Sequence, residues 1–174
     1  MWILPFVAII LGVITADQVS KLLVLEHLYK GQIEIIPGVL RFTYVENRGA
    51  AFGMLADHRW VFMVLSVIGI GLVLAYLYFF CKTRMGRIAL SLIVGGGIGN
   101  MIDRVRLSFV VDFIDFCAFP DLWMWVFNIA DAAVCVGAGF FILDLILDTV
   151  RELKAQQAAK LAKSEENANA ADPE

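Results

Sequence analysis

Residues 110–131 read VVDFIDFCAFPDLWMWVFNIAD, and this stretch decides how the rest of the chain is interpreted. It begins with two acids, Asp112 and Asp115, and passes through an aromatic-rich turn into an apolar run that carries Asn128 and Asp131. A carboxylate inside an apolar segment of membrane-spanning character is costly to bury and marks a functional site. We therefore expect a hairpin of helices to bring Asp112 and Asp131 together as a pair of carboxylates.

The composition is that of a membrane protein with several spans. Of 174 residues, 60% are hydrophobic and 18% are charged, whereas soluble domains carry about 25% charged residues. The net charge of -3 gives no reason to expect a nucleic-acid partner. The cysteines and histidines lack metal-site spacing, so we predict neither a metal nor a cofactor; they are Cys81, Cys117, Cys135, His27 and His58.

Four apolar runs predict an all-α membrane protein with four transmembrane helices. The predicted spans are residues 2–25, 60–80, 88–102 with an extension toward 106, and 123–147. The second run has 21 uncharged residues, the length that crosses a hydrocarbon core of about 30 Å. We expect residues 1–150 to form one domain, with outer connections at about 26–59 and 105–122. Residues 151–174 are expected to be a cytoplasmic tail that frays from helix into disorder.

The first connection contains signals of strands. Residues 33–45, IEIIPGVLRFTYV, alternate apolar and polar positions around a Pro-Gly break, which predicts short strands and a turn. The following ENRGAAFGML places Asn47 and Gly49 among small residues, as a backbone does when it approaches another group closely. A plain turn has the same composition, so this segment does not establish a site.

The basic residues predict the orientation of the spans. The short connection 81–87, CKTRMGR, holds three basic residues and no acid, which places it and both termini in the cytoplasm. With this topology, the polar residues of the first, third and fourth spans come together on the outer side of the membrane. These residues are Asp17, Lys21, Asn100, Asp103, Arg104, Asn128 and Asp131.

Two features in the spans leave alternatives open. Asp17 and Lys21 are four residues apart and can pair on one helix face, either as charges that reach the interface or as part of the site. Gly95, Gly96, Gly97 and Gly99 include a GxxxG spacing typical of close helix packing. A phosphate-binding loop is disfavoured because no Gly-Lys-Ser/Thr sequence follows.

Two carboxylates brought close together support hydrolysis of a peptide bond. One pKa of such a pair is raised, so the pair shares a proton and can activate water without a metal or a covalent nucleophile. A serine or cysteine protease mechanism lacks a histidine within the spans. A small transporter or proton-relay protein is the main alternative, since intramembrane acids also mark ion pathways. A structural scaffold is the other alternative, and it does not account for the acids.

Five motifs resemble those of bacterial lipoprotein signal peptidase, also called signal peptidase II. They are ADQVSK (16–21), NRGAAF (47–52), GGGIGNMIDR (95–104), VVDFIDF (110–116) and FNIAD (127–131). The resemblance implies an aspartic endopeptidase of the bacterial inner membrane with its active site on the periplasmic side and a small extracytoplasmic β-sheet cradle. It implies removal of the signal peptide from diacylglyceryl-modified prolipoproteins, just before the lipidated cysteine. It further implies contact with membrane lipids, inhibition by globomycin-type compounds and a monomeric protein.

By motif match, the resemblance assigns catalysis to Asp112 and Asp131. Spacing alone does not choose between Asp112 and Asp115, and the family pattern favours Asp112. Arg104 is expected to contact a substrate carbonyl or a lipid head group, or to pair with an acid. The supporting and substrate-binding positions that the resemblance implies are Asp17, Lys21, Asn47, Gly49, Asn100, Asp103, Arg104 and Asn128.

Overall fold

A computed structural model describes residues 3–48, 59–118 and 125–171 of the chain, and Gly49 lies outside these ranges. In chain order the described elements are helix α1 (Leu4–His27), strands β1 (Gln32–Ile36) and β2 (Leu40–Asn47), helices α2 (Arg59–Phe79) and α3 (Arg84–Arg106), strands β3 (Val110–Phe116) and β4 (Val126–Phe127), and helix α4 (Ile129–Ala171). The architecture is mostly helical, with one small antiparallel sheet.

Three of the described helices, α1, α3 and α4, are long and apolar enough to cross a membrane. The apolar part of α2 is shorter and runs from Met63 to Phe79. Helix α2 lies within one residue of the predicted second span. The fourth crossing therefore stays a prediction, while the other three apolar helices are present in the fold.

The starts of α3 and α4 differ from the predicted spans, because of a capping residue at α3 and strand pairing before α4. Helix α3 begins at Arg84 because the Thr83 hydroxyl accepts a hydrogen bond of 3.0 Å from the Gly86 amide. Helix α4 begins at Ile129, well after the predicted residue 123, because Val126 and Phe127 pair with β3 instead. Helix α4 then continues through Ala171, across the segment predicted to fray.

The sheet joins both predicted connections. Its strands are antiparallel and lie in the order β1-β2-β3-β4, with the predicted turn between β1 and β2. Gly38 in this turn has a φ of 69°, which glycine adopts without steric cost. The expectation of a helix hairpin around Asp112 was wrong, because residues 110–116 form strand β3, paired with β2. The β-branched and aromatic residues of VVDFIDF favour a strand over a helix.

Helix α3 lies at the centre of the helices, and its glycines allow the close approach. A side chain at Gly95 would collide with Val13 of α1, and one at Gly96 would collide with the Ala130 carbonyl of α4. A methyl group at Gly97 would press on the Ile70 side chain of α2 at 3.1 Å. The glycine run therefore packs α3 against three helices, as the sequence predicts.

The sheet rests on the C-terminal end of α1. Val24 of α1 and Leu28, which directly follows α1, form a buried cluster with Val111 and Phe113 of β3. This packing fixes β3 beside the ends of α1 and α3, close to the first turn of α4. It is the arrangement that brings the polar motifs of the chain to one place.

Candidate active site

Asp112 is the buried acid of the site, with a relative exposure of 2%. It lies on β3 and accepts two hydrogen bonds from amide side chains. Asn128 Nδ2 donates to Oδ1 at 2.6 Å, and Asn47 Nδ2 donates to Oδ2 at 2.9 Å. Asn47 lies at the end of the neighbouring strand β2, so sheet pairing positions one of the two donors.

Asp131 lies in the first turn of α4 and forms a reciprocal cap with Asn128. The Asp131 amide donates to Asn128 Oδ1 at 2.9 Å, while the Asn128 amide donates to Asp131 Oδ2 at 3.2 Å. This is the geometry of a capping box, which supplies hydrogen-bond partners to two backbone amides that have none within the helix. Because Asn128 Oδ1 accepts from a backbone amide, its Nδ2 is directed toward Asp112. Asn128 therefore contacts both carboxylates.

Asn100 connects Asp131 to a buried lysine. Asn100 Nδ2 donates to Asp131 Oδ1 at 2.7 Å, and Asn100 Oδ1 accepts from Lys21 Nζ at 3.0 Å. The side-chain nitrogen of Asn128, Nδ2, also donates to Asn100 Oδ1 at 3.1 Å. Since an ammonium group only donates, it determines the orientation of the Asn100 amide. Both oxygens of Asp131 thus accept from donors whose orientation the structure fixes.

Lys21 forms two buried ion pairs behind the carboxylates. Its Nζ atom lies 2.9 Å from Asp17 and 2.9 Å from Asp103. The exposures are 0% for Asp17, 2% for Lys21 and 2% for Asp103, so this is not a pair of charges at the surface. Asp17 also accepts the Ala130 amide at 3.0 Å, and Asp103 accepts the Val111 amide at 3.1 Å. The Lys21–Asp103 ion pair thereby ties α1 to α3, and the two amide hydrogen bonds tie α1 to α4 and α3 to β3.

The two carboxylates differ in their electrostatic environment. Burial, opposed by the hydrogen bond from Asn47 and reinforced by the charge of Asp131, raises the pKa of Asp112 from 3.8 to about 7. Asp131 is partly exposed and lies at the N-terminus of a helix, where the helix dipole favours a negative charge. The pair therefore resembles two acids that share one proton near neutral pH.

Asp115 has a different partner from Asp112. It lies opposite Arg41 in the pairing of β2 and β3, and the Arg41 Nε atom forms an ion pair with it. This hydrogen bond raises the pKa of Arg41. Residues three apart in a strand point to opposite faces, which explains why only Asp112 contacts Asn128. The contacts thus distinguish Asp112 from Asp115, which their spacing in the sequence did not.

Arg104 lies half-buried near the carboxylates. The negative charges that act on it are those of Asp131, Asp112 and Asp103. Within the described ranges it forms no ion pair, so the predicted alternative of an Asp103–Arg104 pair is not what the structure shows. Of the other predicted positions, the structure assembles Asp17, Lys21, Asn47, Asn100, Asp103 and Asn128 around Asp112 and Asp131.

Sequence reasoning missed two polar residues. Gln18 donates to Asp17 at 3.1 Å and to Asp103 at 3.0 Å, and its position beside Asp17 in the ADQVSK motif was an available signal. Asp144 is 7% exposed on α4 and accepts a hydrogen bond from the cap residue Thr83. Its place inside the apolar run FFILDLIL was the signal for a buried carboxylate.

Comparisons with known proteins identify the family of the chain. The family model for signal peptidase (SPase) II matches residues 9–147. The lipoprotein signal peptidase of Halothermothrix orenii is 47% identical over 141 residues, which are 79% of this chain and 92% of that protein. The lipoprotein signal peptidase of Clostridioides difficile is 44% identical over 139 residues, covering 79% of this chain and 92% of that protein.

Two solved structures, each of a bacterial membrane enzyme, share the fold. One has a TM-score of 0.79 with 31% identity and covers 86% of this chain and 92% of its own. The other has a TM-score of 0.77 with 31% identity and covers 83% and 94%. With the three long apolar helices, these relatives indicate a membrane location. Because the family model spans most of the chain and the relatives match it over most of their own length, the chain belongs to the signal peptidase II family of peptidases.

Proposed function

We propose that this chain is an aspartic endopeptidase that removes the signal peptide from diacylglyceryl-modified bacterial prolipoproteins. The cut falls immediately before the lipidated cysteine. The names of the curated relatives support the substrate class. The observation that carries the proposal is that Asn128 is hydrogen bonded to both Asp112 and Asp131, which joins the two acids at one site.

The hydrogen-bond donors support a division of roles within the dyad. Asp131 accepts hydrogen bonds from the Asn128 backbone amide and the oriented Asn100 amide, and it is less buried than Asp112. Asp112 is more deeply buried, and its pKa of about 7 leaves a large share of it protonated at neutral pH. We therefore assign Asp131 as the general base and Asp112 as the general acid.

The proposed reaction proceeds in two proton-balanced steps. The Asp131 carboxylate takes a proton from water as the water oxygen bonds to the scissile carbonyl carbon, while Asp112 gives its proton to the carbonyl oxygen. The neutral tetrahedral intermediate then collapses. Asp131 returns its proton to the leaving nitrogen, the C–N bond breaks, and Asp112 regains a proton from an intermediate hydroxyl. The products are a carboxylic acid and an amine, and the dyad returns to its starting state.

The surrounding charges suit this chemistry. Lys21 orients the Asn100 amide, so that Asn100 Nδ2 donates to Asp131. Arg104 is positioned to interact with a substrate carbonyl or a lipid head group. The reaction uses no metal or cofactor. We propose a monomer in the bacterial inner membrane with four spans in residues 1–150, a cytoplasmic tail at 151–174, and the dyad on the periplasmic side. Globomycin-type inhibitors are expected to bind at the dyad.

Mapping the cut site tests this proposal. The purified protein is incubated with one precursor in two forms, with and without the diacylglyceryl group, and the products are identified by mass spectrometry. We expect cleavage only of the lipidated form, immediately before the modified cysteine. Equal cleavage of both forms, or a cut elsewhere, contradicts the proposed specificity.

A further inference from the structure

An apolar cleft lies between α2 and α4 over the surface of α3. Helix α2 packs mainly on α3 and reaches α4 through Tyr76 and Phe141, whose ring centroids are 5.7 Å apart. A cavity of about 610 Å³ lies here, lined by Tyr76, Leu90, Phe141 and Leu145 among other apolar residues. The cleft contains no group used in the chemistry described above.

The flank of α4 that borders this cleft leads directly to the dyad. Asp131, Ala138 and Leu145 recur at intervals of seven residues and so lie on one stripe of the helix. Leu145 lines the cavity, which identifies the stripe as the side that faces α2. Cys135 is exposed on the same side, one helical turn from Asp131. From Asp131 to Leu145 the stripe extends about 21 Å, at about 1.5 Å per residue.

The surface of α3 beneath the cleft ends at the same place. Leu90, Gly97 and Arg104 also recur at intervals of seven residues, and Leu90 lines the cavity. Gly97 faces Ile70 of α2, which places this stripe on the α2 side of α3. Arg104 lies at the far end of the stripe, close enough to Asp131 for their charges to interact. The two helix stripes therefore lead from the apolar cavity toward the charged site.

We propose that this cleft binds the apolar helix of the substrate's signal peptide, an inference that rests on the proposed function. The apolar region of a signal peptide has about 7–15 residues and, as a helix, a length of about 10–22 Å. That length matches the stripe from Asp131 to Leu145. A helix lying there has its C-terminal end beside the dyad, where the scissile bond must be. Ala138 is a small residue on this stripe, and small residues at a helix surface allow a second helix to pack closely.

Two tryptophan variants test the cleft by filling it or leaving it open. Ala138→Trp places a large ring on the stripe, and Phe140→Trp is the control because residue 140 is about 180° from residue 131 around the helix. Phe140 is 45% exposed, so its replacement does not disturb packing. The substrates are a full precursor and a short diacylglyceryl peptide that lacks the apolar segment. For Ala138→Trp we expect kcat/KM to fall by about tenfold or more on the full precursor only, from overpacking of the cleft.

Disulfide trapping locates the bound helix independently of turnover. The enzyme carries Asp131→Asn to prevent cleavage and Cys117→Ser to remove a competing thiol, and Cys81 is buried. A cysteine is placed in the precursor about four to six residues before the cut, because Cys135 lies about 6 Å inward of residue 131. We expect copper-catalysed oxidation to join it to Cys135. A matched enzyme with Cys135→Ser and Phe140→Cys is expected to give little product.

The outcomes separate this inference from the proposed function. If wild-type enzyme cleaves neither substrate, the proposed function fails. If wild-type enzyme cleaves both and Ala138→Trp impairs neither, or impairs both equally, the cleft inference is overturned. Equal impairment indicates that the cleft holds the acyl chains, which both substrates carry. A disulfide that forms at residue 140 as readily as at residue 135 also overturns the inference.

Discussion

The side chains of Asp112 and Asn128 are joined by a hydrogen bond of 2.6 Å between Oδ1 and Nδ2. This bond links strand β3 to the capping residue of α4, so one side chain both begins a helix and orients an acid of the site. Its Oδ1 atom is committed to the Asp131 amide. The cap and the dyad are consequently coupled, and substitutions at Asn128 can separate the two roles.

Asn128→Ser and Asn128→Asp are expected to retain the helix start but to lose cleavage. Serine and aspartate cap helices about as well as asparagine, so the start of α4 is retained. Neither residue donates an amide N–H to Asp112, and aspartate adds a second negative charge beside it. We expect kcat to fall at least about 100-fold, with circular dichroism unchanged. Near-normal cleavage by Asn128→Asp contradicts the coupling.

Replacement of either dyad acid is expected to abolish cleavage. Asp112→Asn removes the proton donor and Asp131→Asn removes the base, so each variant loses about 10³-fold or more in kcat. Cleavage of a lipidated precursor by purified, correctly inserted protein is the measurement. Asp115→Asn is the matched control from the same strand, and its loss is smaller because Asp115 pairs with Arg41. Complete loss in Asp115→Asn with activity in Asp112→Asn reverses the assignment.

Part of the candidate site could be proposed from sequence because some of its carboxylates interrupt apolar runs. A carboxylate at such a position is costly to bury, which pointed to Asp131 and left Asp17 open between an interface pair and the site. Asn47 lies in a polar connection, where the local sequence did not establish a site. The strand at residues 110–116 was missed because spacing arguments treated VVDFIDF as part of a connection. Its pairing depends on β2, a partner more than 60 residues away, and no local pattern specifies such a partner. The same limit left Asp112 and Asp115 undistinguished.

The activity is expected to decline as pH rises through about 7. Asp112 acts in its protonated form, and its pKa of about 7 means that the donor is lost above this value. Asn47 donates to Asp112 and lowers this pKa, so Asn47→Leu is expected to move the alkaline limb of kcat/KM to higher pH. A pH profile of initial rates for wild type and for Asn47→Leu compares their alkaline limbs. An unchanged alkaline limb in Asn47→Leu contradicts the assignment of that limb to Asp112.

Stability gives a check on Asp112 that does not need turnover. Between pH 3.8 and about 7 the folded chain keeps a proton on Asp112 that the unfolded chain has lost, so this group makes folding less favourable as pH rises. Asp112→Asn removes this penalty. We expect the variant to unfold at a higher temperature than wild type at pH 8, with a smaller difference at pH 4. An equal difference at both values contradicts the raised pKa.

The close packing of α3 and α4 predicts a strong effect of one methyl group. In Gly96→Ala the added carbon meets the backbone carbonyl of Ala130, which cannot rotate away as a side chain can. We expect a loss of roughly 1–3 kcal/mol, the usual range for overpacking. Gly12→Ala is the control, because no atom lies within 4 Å of the added carbon. Thermal unfolding in detergent measures both variants, and equal stabilities contradict the packing interpretation.

The buried ion pairs of Lys21 are expected to matter more than any exposed pair. Lys21→Met leaves the Asp17 and Asp103 carboxylates buried without a counter-charge, a change that costs about 3–5 kcal/mol when one partner of a buried pair is removed. Arg41→Met is the matched control, since the Arg41 side chain is 38% exposed and exposed pairs contribute about 0–1 kcal/mol. Adding Asp103→Asn to Lys21→Met removes one of the unpaired charges, so the double variant should recover part of the lost stability. Unfolding temperatures at neutral pH compare the three variants. If Lys21→Met costs no more than Arg41→Met, the lysine is not the centre that holds α1, α3 and α4 around the dyad.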